Sequence, residues 1–184
     1  MQRTGGTKGT FVRYQWNARN CRWVALGQAT GIFGQNGVVS ASQRVQGSNQ
    51  TPAGTFRLLS AFGVGNPGTR LPYTKLTQAQ WWDERPSSRT YNQMINSSQG
   101  CTTNTCEHLI EETSAYGRQL YNQAVVIGYN TPVQHRSGGG SGAGIFLHFA
   151  RSYTGGCVAV NDYQQLTATV AWLDPRQHPL IVIR

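Results

Sequence analysis

Charge is the scarcest property of this chain. Asp, Glu, Lys and Arg together make up 12% of its 184 residues, too few to clothe the exposed faces of a helical bundle. The only lysines are Lys8 and Lys75, and the arginines are scattered singly. No basic run with interleaved aromatics exists, which argues against a dedicated nucleic-acid groove despite a net charge of +9. No apolar run reaches the roughly 20 residues a membrane span needs. No cysteine pair has the CxxC spacing of a zinc ribbon or thioredoxin motif. No two of His108, His135, His148 and His178 stand at helical i, i+4 spacing, and no carboxylate completes a ligand pattern, so neither a metal nor a cofactor is expected. Gly63 to Gly68 matches the letters of GxGxxG, but Pro67 and Pro72 occupy the place of the helix that would hold a pyrophosphate. No repeat and no domain boundary is visible. Met1 to Gly6 is polar, and no secretory signal is visible in it. Residues 1–9 are therefore expected to be a flexible N-terminal arm, with any signal or anchor outside this sequence.

What the chain has in quantity is glycine, 22 residues, and aromatics, 10%. Together with the low charge they indicate a single mainly β domain over residues 10–184 with two short peripheral helices. Thr10–Trp16 and Cys21–Leu26 read as a hairpin around Asn17–Asn20. Asn36-Gly37 signals another hairpin. Thr51–Gly54 reads as a turn and Thr55–Phe62 as a strand. Residues 63–105 look irregular, and a segment of that length carries function or wraps the domain. Cys106–Leu120 is expected to be a helix. Ala124–Tyr129, Ile145–Phe149, Cys157–Val160 and Leu180–Ile183 read as strands. Asn161 is expected to cap a helix over Asp162–Leu173, with Gln164 at the capping-box position. Ser137–Gly144 is a glycine loop expected to be mobile. Cys101 and Cys106 bracket a short polar loop that a disulfide could staple, which leaves Cys21 and Cys157.

The informative stretch is Gly144-Ile145-Phe146-Leu147-His148 followed by Thr154-Gly155-Gly156-Cys157-Val158-Ala159-Val160. A histidine ends one apolar strand and a cysteine opens the next, nine positions later. One short connection could bring both side chains to one sheet edge. A thiol needs a nearby imidazole to supply thiolate at neutral pH. Glycine before it lets backbone N–H groups approach a substrate carbonyl. On this chemistry alone, a buried cysteine in a glycine turn beside a satisfied core histidine reads equally well.

The same stretch resembles the signature of the L,D-transpeptidase catalytic domain (YkuD-like) family, in which a strand-ending His precedes Ser/Thr-x-Gly-Cys. Gln50–Leu58 with Ala61–Gly63, Tyr91-Asn92, Val126–Asn130 and Leu173–Pro175 resemble further family segments, so the likeness covers most of residues 10–184. The resemblance implies a β-sandwich or barrel that acts on peptidoglycan stem peptides through a Cys acyl-enzyme. It makes Cys157 the nucleophile, His148 the base, and the N–H groups of Gly156 and Cys157 the oxyanion donors. Tyr129, Thr154 and Gly155 would shape the substrate site. Gly155 stands where the family often has His, and Ala159 where it often has Arg. Arg151 is a candidate replacement for that arginine. The implied setting is bacterial and extracytoplasmic, with carbapenem-type β-lactams as inhibitors. An L,D-carboxypeptidase and a catalytically dead wall-binding module are the alternatives.

Overall fold

The computed structural model describes residues 1–96, 100–132 and 139–184. Its strands are β1 (Gln2–Gly5), β2 (Lys8–Asn17), β3 (Arg22–Ile32), β4 (Val38–Ser40), β5 (Thr51–Gly63), β6 (Tyr73–Lys75), β7 (Trp81–Asp83), β8 (Gln93–Ile95), β9 (Cys106–His108), β10 (Gln123–Ile127), β11 (Phe146–Phe149), β12 (Val158–Val160) and β13 (Leu180–Ile183). One α-helix, α1, spans Tyr163–Trp172. The main sheet runs β1-β2-β3-β12-β11-β10-β5-β13, with β4 and β6 also paired to β5. Its two ends meet: the Arg3 N–H donates to Arg184 O at 2.7 Å and the Arg184 N–H to Met1 O at 3.0 Å. The result is a nearly closed, barrel-like sheet. No described helix is long and apolar enough to cross a membrane.

Strand alternation divides the core in two. Val125, Ile127, Leu147, Val158 and Val160 face one side, where α1 adds Leu166 and Val170. Ala124, Val126, Phe146 and Cys157 face the other. That second face is covered by the excursion between β5 and β10, which brings in Leu76, Trp82, Leu109, Ile110 and Tyr121. Phe62, Trp82 and Tyr121 meet the Phe146 ring edge-to-face at 5.1, 4.7 and 5.6 Å. Each such contact is worth about 0.5–1.5 kcal/mol beyond simple burial. The segment that reads as irregular in sequence thus supplies β7 and β8, which join β9 in a small sheet, β8-β7-β9, set against the main one.

Several local expectations are corrected. Residues 1–9 are not a loose arm, since β1 pairs with β2. Thr51 opens β5 instead of forming a turn, with Pro52 near the strand start, where proline is tolerated. Asn36-Gly37 does turn, at φ 79° for Gly37, but β4 then runs parallel to β5, so no hairpin forms. Cys106–Leu120 is β9 followed by two short 3-10 helices, Leu109–Glu112 and Ser114–Tyr116. Pairing with β7 draws its start into a sheet, and Gly117 at φ 81° ends the second helix. Asp162, not Asn161, caps α1 by accepting the Gln165 N–H. Of the glycine loop, residues 137 and 138 lie outside the described residues. Gly139–Ser141 forms a 3-10 turn, and the Ser141 carbonyl accepts from Arg44.

Candidate active site

β11 and β12 run parallel, with His148 opposite Ala159. Alternation from Val158 and Val160 sends Cys157 to the same face as Phe146 and His148. Both candidate side chains line one cavity of about 450 Å3. Its far wall comes from the excursion: Glu84, Glu107, Glu112 and Tyr121.

His148 is 3% exposed. Its Nδ1 lies 2.7 Å from Phe149 O, and a carbonyl can only accept, so Nδ1 carries the proton and Nε2 is left as a bare acceptor. Tyr121 meets the imidazole edge-on at 5.3 Å. Burial pushes His148 down to about 4. The Cys157 Sγ accepts the Phe146 N–H at 3.3 Å, and its S–H donates to Gly144 O at 3.2 Å. Burial pushes the thiol up to about 12, and Glu107 and Glu84 add to the rise. At rest the pair is therefore neutral thiol and neutral imidazole, and the thiol proton points at a carbonyl.

The turn that carries Cys157 is clamped from several directions. Thr154 Oγ1 donates to Cys157 O at 2.6 Å and accepts the Gly156 N–H at 3.2 Å. Thr51 Oγ1 donates to the same carbonyl at 3.1 Å and accepts the Gly34 N–H at 2.8 Å. Gly156 sits at φ 133°, and a Cβ there would lie 3.0 Å from Arg44 Nη2 and 3.1 Å from Gln50 O. Arg44 itself is 6% exposed. Its Nε donates to Gln50 O at 2.8 Å and its Nη1 to Ser141 O at 2.7 Å, with the guanidinium over the Tyr129 ring. Its positive charge opposes the rise of the Cys157 thiol.

Glu107 sits half-buried on the opposite wall and accepts the Tyr121 hydroxyl proton at 2.8 Å. Burial, with Glu84 nearby, pushes its carboxyl up to about 8. The Asn92 side chain takes part in four hydrogen bonds. Its amide nitrogen donates to Tyr129 O and Asn130 O, and its oxygen accepts from Trp82 Nε1 and the Gly144 N–H. It thereby fixes the residue whose carbonyl faces the thiol.

The expected site residues separate accordingly. Cys157, His148, Thr154 and Gly155 share the cavity. Thr154 fixes the turn that carries Cys157. The Gly156 N–H, expected to meet an oxyanion, is held by Thr154 Oγ1. Tyr129 is buried at 1%, and its hydroxyl lies 2.9 Å from Ser141 O and 3.2 Å from Ala41 O, so it braces the glycine loop from the core and does not face the cavity. Arg151 is exposed and lines a neighbouring cleft with Gly117–Leu120, away from the thiol. Cys101 and Cys106 are disulfide-bonded, and Cys106 borders the cavity. His108 stacks on Trp81, His178 follows a 3-10 turn, and His135 lies outside the described residues.

Sequence reasoning missed Arg44, Thr51, Asn92, Glu107 and Tyr121 as parts of the site. Thr51 and Asn92 do fall in segments that resemble the family, so a signal existed for them. The others carry no local mark. A family model described as YkuD, L,D-transpeptidase catalytic domain, matches residues 7–182. Comparison with curated proteins and with solved structures finds no match. The family match takes in both strands that present Cys157 and His148 and the excursion that walls their cavity, and the chain belongs to the L,D-transpeptidase catalytic domain family.

Proposed function

We propose that this protein is a cysteine acyltransferase acting on peptidoglycan stem peptides, with Cys157 as nucleophile and His148 as base. The observation that carries the reading is one cavity holding both groups, with the Nε2 of a tautomer-fixed imidazole free to take a proton. Substrate entry turns Sγ away from Gly144 O toward the cavity. Sγ attacks the donor carbonyl as its proton passes to His148 Nε2. The tetrahedral intermediate collapses, the C–N bond breaks, and the departing D-amino acid takes that proton. A thioester remains. An acceptor amine then attacks it, losing a proton to His148, and the thiol is restored by the same imidazole. The family supplies this reaction class. The neutral resting pair fits a site in which charge develops only with substrate bound. The chain's +9 charge and its disulfide support an extracytoplasmic setting against an anionic bacterial wall.

Incubation with purified muropeptides followed by mass spectrometry tests the reading. Wild type should yield cross-linked or exchanged products, and Cys157→Ala none. A carbapenem should add one ligand mass to wild type and none to Cys157→Ala. His148→Ala should retain the fold and acylate about 10²–10⁴-fold more slowly. Donor loss without any acceptor product would make the protein a carboxypeptidase. An unmodified wild type that still binds peptidoglycan fragments would leave only a binding module.

A further inference from the structure

The β2–β3 hairpin extends well past its neighbours. β12 pairs only with Gly31 and Ile32 of β3, and β1 reaches only Lys8–Thr10 of β2, so the distal hairpin is a two-stranded ribbon. One of its faces turns toward α1: Arg13 Nη1 donates to Thr169 Oγ1, and its guanidinium lies over the Trp172 ring. Alternation sends Tyr14 and Trp16 to the other face. Trp16 and Trp23 are cross-strand partners whose rings meet edge-to-face at 5.6 Å and 65°. Trp23 is 65% exposed, Tyr14 50% and Trp16 48%. Arg19 is exposed in the turn at the tip, while Arg22, also exposed, falls by the same alternation on the face opposite Trp23. An exposed aromatic stripe of this kind marks an interaction surface.

Charge points to the partner. No Asp or Glu precedes Asp83, while nine Lys and Arg do, so the whole +9 excess falls in residues 1–82. The ribbon therefore offers aromatic faces and cations with no carboxylate to repel an anion. Its tip, Asn17 to Arg22, is polar apart from Ala18 and Cys21, and the aromatics lie behind it on the flank. A bilayer would need an apolar tip to insert. A linear polymer lying across the strands needs only the flank.

We propose that this face docks the glycan strands of the cell wall with their anionic stem peptides, sugar C–H faces stacking on Trp16, Trp23 and Tyr14 and stem carboxylates pairing with Arg19 in the turn. The inference rests on the acyl-transfer reading for the identity of the polymer, and it gives the protein a grip on the wall separate from the cavity.

Co-sedimentation with purified sacculi tests it, with phosphatidylcholine–phosphatidylglycerol vesicles in parallel. Wild type should bind sacculi, and Trp16→Ala with Trp23→Ala should weaken binding at least about tenfold. Trp16→Phe with Trp23→Phe, which keeps stacking faces, should largely retain it. Arg19→Gln should flatten its salt dependence. Turnover of a soluble muropeptide should be unchanged in all of these variants. The inference is overturned if wild type does not sediment with sacculi, if the alanine pair binds them as wild type does, or if the variants lose vesicle binding alone. Failure of wild type to turn over muropeptides would instead defeat the acyl-transfer reading while hairpin-dependent sedimentation stood.

Discussion

Arg44 concentrates three roles in one side chain. It ties Gln50 O to Ser141 O, leaves no room for a side chain at Gly156, and sets a positive charge behind a thiol that burial and two carboxylates disfavour as an anion. The arginine that the family often carries two positions after the cysteine is Ala159 here, buried and apolar. Arg44 supplies a guanidinium near Cys157 from another part of the chain. Arg44→Met should raise the pH at which Cys157 reacts, and Arg44→Lys should restore most of that profile, because it returns the charge. A merely structural role would not move the profile. The check is the pH dependence of Cys157 acylation by intact-protein mass spectrometry. Both variants leave at least one carbonyl unpaired, so thermal unfolding should show a loss of about 1–3 kcal/mol in each.

At the level of elements, the site depends on how the excursion between β5 and β10 is locked to the main sheet. Asn92 is one of the locks. It sits at φ 58°, which asparagine tolerates, and joins Trp82 on β7 to Gly144 and to the residues after β10. Asn92→Asp is nearly isosteric but turns an oxygen toward two carbonyls that the amide had satisfied. It should destabilise by about 1–3 kcal/mol. It should also reduce acylation, since Gly144 loses its anchor. Comparing melting temperature with acylation rate checks both effects. Asp83 braces the excursion from within: it is buried, yet hydrogen bonds from Arg85, Ser88 and Thr90 outweigh burial and hold its carboxyl well below the usual range. The mainly β character was legible from glycine, aromatic and charge content. The Cys106–Leu120 segment was not, because apolar spacing cannot reveal that Cys106–His108 pairs with a strand more than twenty positions earlier.

At the scale of the molecule, stability should depend on pH through two groups, Glu107 and His148, acting in opposite directions. Glu107 is raised to about 8 in the fold, so it keeps its proton where the unfolded chain has lost it. Its influence disfavours folding increasingly as pH rises from about 4.5 to 8 and is constant above that. His148 is lowered to about 4, so its influence disfavours folding as pH falls from about 6.5 toward 4. Stability should therefore peak at mildly acidic pH. Glu107→Gln, neutral throughout, should flatten the alkaline side and raise the melting temperature at pH 8 relative to wild type. Melting curves between pH 4 and 9 check it, and an unchanged alkaline slope would show that Glu107 is ionised in the fold.

The sequence alone determined that Cys157 and His148 stand at neighbouring strand ends and that the chain resembles this family. Both rest on local order: strand alternation, glycines before the cysteine, and short motifs in a set sequence. Only the tertiary structure decided what surrounds them. Thr51 reaches the Cys157 carbonyl across 106 positions and Arg44 reaches Ser141 across 97. Tyr129 points into the core and Arg151 away from the thiol, a choice made by packing. The period of a strand states which face a side chain takes. What lies on the other side of that face depends on where a distant segment is held, and here that is set by buried hydrogen bonds no local pattern records.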